Sequence, residues 1–189
     1  MKRRTFLRAA AAVIPAAGLH GLLESQVQGQ VAVSPRAPEL HVVGAGEDRY
    51  GQYHSMGISH LLFKVSGNET GGGMFVLEHQ HLTPGGPALH LHLNQEEWFY
   101  VMEGEVAFQV GEQRLQLHPG ESVLAPRLVP HTFSSVGATP SRLLIAFCPA
   151  GKMEQYFRDA ENAKEAAGDA AFMARYEMER VGPSPFWKS

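Results

Sequence analysis

The chain has 189 residues and a mass of 20.7 kDa, with 16 Lys and Arg against 19 Asp and Glu, which gives a formal charge of −3. This length, with 44% hydrophobic residues, supports one domain with a buried core. The composition excludes a chain that is intrinsically disordered as a whole. The slightly acidic balance gives no support to a nucleic-acid partner, and the single Cys148 excludes an intramolecular disulfide framework and a Cys-based zinc cluster.

The first residues predict an export signal. Its basic start consists of Lys2, Arg3, Arg4 and Arg8. The Ala-rich apolar run that follows over 9–17 is too short to span a bilayer. Paired arginines followed by Phe-Leu-Arg resemble the twin-arginine pattern, which is a receptor-read address. We therefore assign 1–32 to a signal and expect an exported, periplasmic or extracellular protein with no stable membrane anchor after its removal. An ordinary amphipathic helix is the alternative.

Short β-prone segments separated by turns follow the signal. They cover 59–65, 74–82, 89–93, 98–102, 106–110, 115–117, 122–125, 131–136 and 143–147. Helical patterns long enough for βαβ units do not occur among them. Many short strands with turn signals at close spacing predict an all-β, antiparallel sandwich or barrel, which we place at 33–150.

The composition changes after Gly151 and becomes rich in Glu, Ala, Lys and Met. The apolar residues at helical spacing are Met153, Tyr156, Phe157 and Ala160. Gly168 interrupts this pattern, and Asp169 is expected to cap a second helix that continues through Arg180. The range 151–189 is therefore predicted to be a helical tail that packs on the barrel or on a partner subunit, with a homodimer as one option.

One segment carries most of the chemistry. His90 and His92 are two residues apart, so on a strand their imidazoles share a face and can meet one ion. Glu97 lies at an odd offset from His92, so a bend at 93–96 must reset the alternation before Glu97 can join them. His131, on a later strand, can supply a third imidazole.

Three neutral imidazoles and one carboxylate suit one divalent transition-metal ion and leave one or two coordination positions open. These ligand types do not choose among Fe, Mn, Ni, Cu, Co and Zn. Glu97 is also the candidate catalytic base, and Glu96 is its rival as the carboxylate ligand. His79 and His81, also two apart, either face the same cavity as proton shuttles or lie away from it.

The first of two ordered motifs resembles that of the cupin superfamily. It comprises His90-x-His92, then Glu97 after four residues and Gly104 after six more. Pro84 stands where the family pattern has its leading Gly.

The second cupin-like motif comprises Gly120, Pro126 and His131 at the family's spacing. Leu128 replaces the inner Gly of the pattern, and Ser135 replaces its Asn. These departures affect a turn and the framework, while the ligand positions match. The resemblance covers roughly residues 55–150.

This resemblance implies a double-stranded β-helix, the cupin or jelly-roll barrel, with a metal inside and a C-terminal helical extension. The phrase Glu-Trp-Phe-Tyr-Val-x-Glu-Gly is similar to single-domain bacterial cupins described as quercetin-dioxygenase-like. The resemblance favours a mononuclear dioxygenase-type oxidoreductase that acts on a small enolic or phenolic substrate, with an aromatic molecule as one option. An oxygen-independent isomerase or decarboxylase and a non-catalytic small-molecule-binding cupin are the alternatives. The apolar residues expected to line the cavity are Phe99, Val101, Val106, Phe108 and Phe133.

Overall fold

The computed structural model describes residues 40–163 and 168–186. The predicted export signal at 1–32 lies outside these residues and stays a prediction. In the described ranges, no helix has both the length and the hydropathy needed to cross a membrane. The strands are β1 (His54–Ser55), β2 (His60–Val65), β3 (Phe75–Leu82), β4 (Leu89–His92), β5 (Glu96–Glu103), β6 (Val106–Val110), β7 (Gln113–Leu117), β8 (Ser122–Ala125), β9 (His131–Ser135), β10 (Ser141–Cys148) and β11 (Met178–Gly182). The helices are a 3-10 turn (Gly67–Thr70), α1 (Met153–Ala163) and α2 (Ala170–Ala174).

The strands form two antiparallel sheets. One has the order β1-β2-β3-β10-β5-β8, and the other has the order β11-β4-β9-β6-β7. From β3 to β6, and again from β7 to β11, each successive strand lies in the other sheet, as in a jelly roll. The predicted all-β jelly-roll architecture is confirmed.

The alternation of side chains along the strands explains how the sheets close around a core. β5 has every second residue buried, with Phe99 and Val101 inside and Trp98 and Tyr100 only partly covered. Phe99 packs edge-on against Phe108 of the other sheet, with ring centroids 5.2 Å apart. The sheets are thus joined by interlocking aromatic and aliphatic side chains.

The C-terminal region differs from the prediction in one part. The first predicted helix is present, but the second ends at Ala174 instead of continuing through Arg180. Residues Met178–Gly182 form β11, which pairs with β4 along its free edge. Only the first residue of β11 is buried, so its sequence lacks the alternation that announces a strand. Hydrogen bonding to β4 decides its conformation.

Candidate metal centre

β4 presents two imidazoles to the interior. Its burial alternates, with His90 and His92 buried and Leu89 and Leu91 partly exposed. β4 lies between β9 and β11 in its sheet. Neighbours on both sides hold the strand and fix the direction of its side chains.

Glu97 reaches the same interior from the opposite sheet. The bend at 93–95 between β4 and β5 resets the alternation, so Glu97 is buried on β5. Glu96 points the other way and pairs with Arg127, whose Nη2 lies 2.7 Å from its Oε2. The structure therefore places Glu97 beside the histidines, whereas Glu96 forms a solvent-exposed ion pair with Arg127.

His131 stands at the start of β9, directly opposite His90 in the strand register. The preceding loop is held by Leu128, whose backbone N–H donates to the carbonyl oxygen of His92 over 2.8 Å. Leu128 has φ +65°, a left-handed conformation that favours glycine. The backbone therefore keeps the glycine-type turn expected of the second motif although the residue is leucine.

The four side chains converge. One potential ligand atom from each of His90, His92, Glu97 and His131 lies within 4.8 Å of the others, and all four residues are buried. Oε2 of Glu97 lies 3.0 Å from Nε2 of His92 and 2.8 Å from Nε2 of His131. Residues 41 positions apart in the chain thus form one cluster, because β4, β5 and β9 face a common interior.

The hydrogen bonds behind this cluster orient two of the imidazoles. Nδ1–H of His90 donates to the carbonyl oxygen of Ala88, and Nδ1–H of His131 donates to that of Val129, each over 2.9 Å. A neutral imidazole protonated on Nδ1 carries its lone pair on Nε2. When both rings are neutral, as they would be around a metal ion, their Nε2 lone pairs are directed to the cluster, which is the arrangement that metal-binding histidines adopt.

This donor set fits a cation. Lone pairs of buried imidazoles and a carboxylate oxygen repel one another at these distances unless a proton or a metal ion lies among them. Imidazole nitrogen together with carboxylate oxygen suits divalent transition metals. The chemistry of the cluster therefore agrees with a resident metal held by all four residues.

The protonation of the cluster follows from the same contacts. Burial alone would raise the pKa of Glu97, but hydrogen bonds from His131 and His92 outweigh it and hold the pKa well below its usual range. Burial, with the adjacent His131 and His92, lowers the pKa of His90 to about 3. Burial also opposes charge on His131, but its hydrogen bond to Glu97 raises its pKa overall. Glu97 is thus an anion and His90 a neutral ligand at neutral pH.

A cavity of about 280 Å³ adjoins the cluster. His90, His92 and Glu97 contribute to its wall. The apolar part of its lining consists of Met56, Ile58, Pro87, Ala88, Phe133, Ile145, Phe147, Met153, Phe157, Met173 and Met178. His79 and Tyr156 are further lining residues with polar groups. None of the described lining residues is Lys or Arg.

The cavity wall differs from the sequence-based expectation. Phe133 lines it, but Phe99, Val101, Val106 and Phe108 belong to the packed core beside it. Part of the wall comes instead from the C-terminal region. The helical spacing identified Met153, Tyr156 and Phe157 as an apolar face, but nothing in the sequence says that this face covers the cavity.

The two further histidines on β3 have different surroundings. His79 is buried in the cavity wall, whereas His81 is exposed and contacts the ring of His60. His81 has φ +51°, so the strand alternation is broken there. Of the pair proposed as proton shuttles, only His79 is therefore at the cavity.

Comparisons with known proteins agree with this architecture. Residues 78–147 match the family described as Cupin domain (Cupin_2). An uncharacterised protein, MJ1618 of Methanocaldococcus jannaschii, is 26% identical over 61 residues, which are 32% of this chain and 49% of that protein. The chain thus spans about half the length of this curated relative.

Two solved structures are also similar. An RmlC-like cupin from Shewanella frigidimarina is 18% identical and has a TM-score of 0.50, over 62% of this chain and 96% of that chain. TT1209 from Thermus thermophilus is 31% identical and has a TM-score of 0.39, over 41% of this chain and 74% of that chain. The first of these likenesses shows the shared fold, and the chemistry has to be argued from the site.

Proposed function

We propose that this cupin domain is a metal-dependent oxidoreductase of the dioxygenase type that acts on a small enolic or phenolic substrate. One observation carries the proposal. Three imidazoles and a carboxylate converge, buried, at the wall of a largely apolar cavity. A site that only stabilised the barrel would need no adjoining space, whereas a catalytic metal needs an open position beside its protein ligands.

The site residues have two proposed roles, which are binding the metal ion and accepting a proton from the substrate. His90, His92, Glu97 and His131 would hold one divalent transition-metal ion. When bound, such an ion supplies Lewis-acid activation and, for a redox-active element, one-electron chemistry. Glu97 is placed to accept the proton of an enol or a phenol, because its carboxylate lies in the cluster at the wall of the cavity.

The charge and volume of the cavity restrict the substrate. A divalent ion and the Glu97 carboxylate leave one net positive charge, which one enolate or phenolate neutralises. A dianionic substrate would retain an unpaired buried charge, because the described lining contains neither Lys nor Arg. About 280 Å³ admits a molecule of roughly one or two rings and is smaller than pockets for drug-sized ligands.

The test compares two adjacent carboxylates. Glu97→Gln removes the charge inside the cluster, and Glu96→Gln removes one from the exposed pair with Arg127. Protein purified without chelator is analysed for metal, and oxygen uptake is followed with a panel of one- and two-ring catechols and enols. We expect about one metal per wild-type chain, a loss of tenfold or more in metal affinity for Glu97→Gln, and wild-type behaviour for Glu96→Gln.

The activity assay separates this function from its alternatives. We expect turnover of at least one substrate with oxygen consumed in proportion to product, and none under anaerobic conditions. Unchanged turnover without oxygen would contradict the dioxygenase and favour an isomerase or decarboxylase. Tight binding with no turnover of any panel member would favour a binding protein.

A further inference from the structure

His79 is a buried imidazole in the cavity wall that the metal cluster does not use. It lies on β3, is 4% exposed, and packs edge-on against Phe133, with ring centroids 5.6 Å apart. Its Nδ1 lies 2.7 Å from the hydroxyl oxygen of Ser59, which is also buried. An apolar residue would fill this position without a buried polar pair, so the imidazole calls for an explanation.

Ser59 determines which ring nitrogen carries the proton. No other described residue hydrogen-bonds the Ser59 hydroxyl, so its O–H is satisfied only by donating to Nδ1 of His79. Nδ1 is then the acceptor nitrogen, and the proton of the neutral ring resides on Nε2. No hydrogen bond from Nε2 to another described residue is present, so this N–H is available to a molecule in the cavity.

The environment keeps the ring neutral. Burial lowers the pKa of His79 to about 4, although the negative charge of Glu97 opposes this effect. At neutral pH the ring therefore brings a hydrogen-bond donor into the cavity without adding a second positive charge there. The remainder of the wall beyond the cluster is mostly apolar.

We propose that Nε2–H of His79 is a second polar anchor of the cavity, donating to an oxygen of the substrate while another substrate oxygen meets the metal. This inference rests on the proposed function and narrows its substrate class. The substrate is a small, largely apolar molecule with two separated oxygen functions, such as a diphenol or a hydroxy-enone, rather than a simple monophenol. Ser59 is the positioning residue that fixes the tautomer of His79.

The experiment uses cobalt-loaded protein and a set of ring probes of equal size. Phenol is compared with catechol, resorcinol and hydroquinone by titration of the visible cobalt spectrum. We expect the wild-type protein to bind at least one of the three diols about tenfold more tightly than phenol. In His79→Phe this preference should fall to twofold or less, while the protein still loads one cobalt ion per chain.

Three further variants distinguish hydrogen bonding from shape. His79→Gln keeps an N–H donor and should restore part of the preference, while Ser59→Ala should reduce it by about threefold because the tautomer is no longer fixed. His81→Phe, the matched control on the exposed side of the same strand, should leave it unchanged. Because Ser59→Ala retains His79, it tests the inference even if His79→Phe does not fold.

Failure of this inference can be distinguished from failure of the proposed function. Equal affinity of the wild-type protein for phenol and every diol would overturn the inference while leaving the metal site intact. A diol preference that survives in both His79→Phe and Ser59→Ala would also overturn it. If the wild-type protein bound no cobalt, the proposed function itself would fail, and the inference would fall with it.

Discussion

Gly86 shows how single residues shape the site. It has φ +92°, and a Cβ atom added there would lie 1.7 Å from the carbonyl oxygen of Phe133. Phe133 belongs to β9, the strand that begins with His131. Only a residue without a side chain lets the segment before β4 run this close to β9, so Gly86 helps set the distance between two ligand-bearing strands.

Replacing Gly86 should therefore cost more than an unfavourable φ alone. Gly120 provides a matched control because it has φ +93° with open space around it. We expect Gly120→Ala to lower the free energy of unfolding by about 1 kcal/mol, the cost of a left-handed backbone, and Gly86→Ala to lower it by about 3 kcal/mol or more. Urea unfolding measures both, and equal losses would show that the close contact with Phe133 is unimportant.

For single residues, the sequence identifies the candidate metal ligands better than the residues that position the side chains of the site. The spacing of His90, His92 and His131 is enough to predict one cluster, since strand alternation and two ordered motifs constrain them. Glu96 and Glu97 differ only in which face they occupy, and that depends on the bend before β5. The role of Ser59 is invisible in the sequence, because it arises from a hydrogen bond to His79, twenty residues away.

Strand pairing determines where charge lies on the larger sheet. Glu78 on β3 is buried, accepts hydrogen bonds from Arg142 on β10, and lies 3.3 Å from Nζ of Lys64 on β2. Arg142 also pairs with Glu103 on β5. Burial would raise the pKa of Glu78, but the hydrogen bond from Arg142 and then that from Gln80 lower it overall, helped by the charge of Lys64. This charged ladder ties four adjacent strands together.

The ladder predicts a pH dependence of stability. The pKa of Glu78 is lower in the folded state, so the unfolded state binds its proton more readily, and the stabilisation exists above the ordinary value of 4.5 and is lost as the pH falls below it. Glu78→Gln should cost about 2 kcal/mol at pH 7 and much less near pH 3. Urea unfolding at both pH values is the measurement. A cost that did not change between them would contradict the assigned role.

The C-terminal elements are part of the site and not an appendage to it. β11 pairs with β4, and Met178 lies opposite His92 in the register. Met178 is buried and lines the cavity, whereas Val181 on the same strand is 48% exposed. The backbone N–H of Leu93 also donates to the carbonyl oxygen of Glu177 over 2.9 Å. The C-terminal segment therefore supports the strand that carries two of the ligands.

A pair of truncations on β11 tests this support. Met178→Ala removes a buried side chain and enlarges the cavity, so it should lower the free energy of unfolding by about 2–4 kcal/mol and raise the affinity for bulkier diols. Val181→Ala should change stability by about 0.5 kcal/mol or less. Thermal unfolding and probe titration provide the readouts. Similar effects of the two substitutions would mean that β11 covers β4 without contributing to the cavity.

Across the whole molecule, the sequence predicts the central strands of the barrel well, but it does not predict β11 or the C-terminal part of the cavity wall. Alternating residues announce β5 and β6 because one side of each strand is buried. β11 has no such pattern and follows two short helices, so composition assigns it to a helix. The cavity is equally hard to predict from the sequence, because its wall combines residues from both sheets and from the C-terminal elements. Tertiary packing, which no local pattern encodes, brings them together.

We propose that His90, His92, Glu97 and His131 hold one metal ion. Anomalous X-ray diffraction at the absorption edge of the metal found by elemental analysis tests it most directly. We expect a single strong peak about 2.0–2.2 Å from three imidazole nitrogens and from an oxygen of Glu97. A peak located elsewhere, or none at this cluster in crystals of metal-loaded protein, would contradict it.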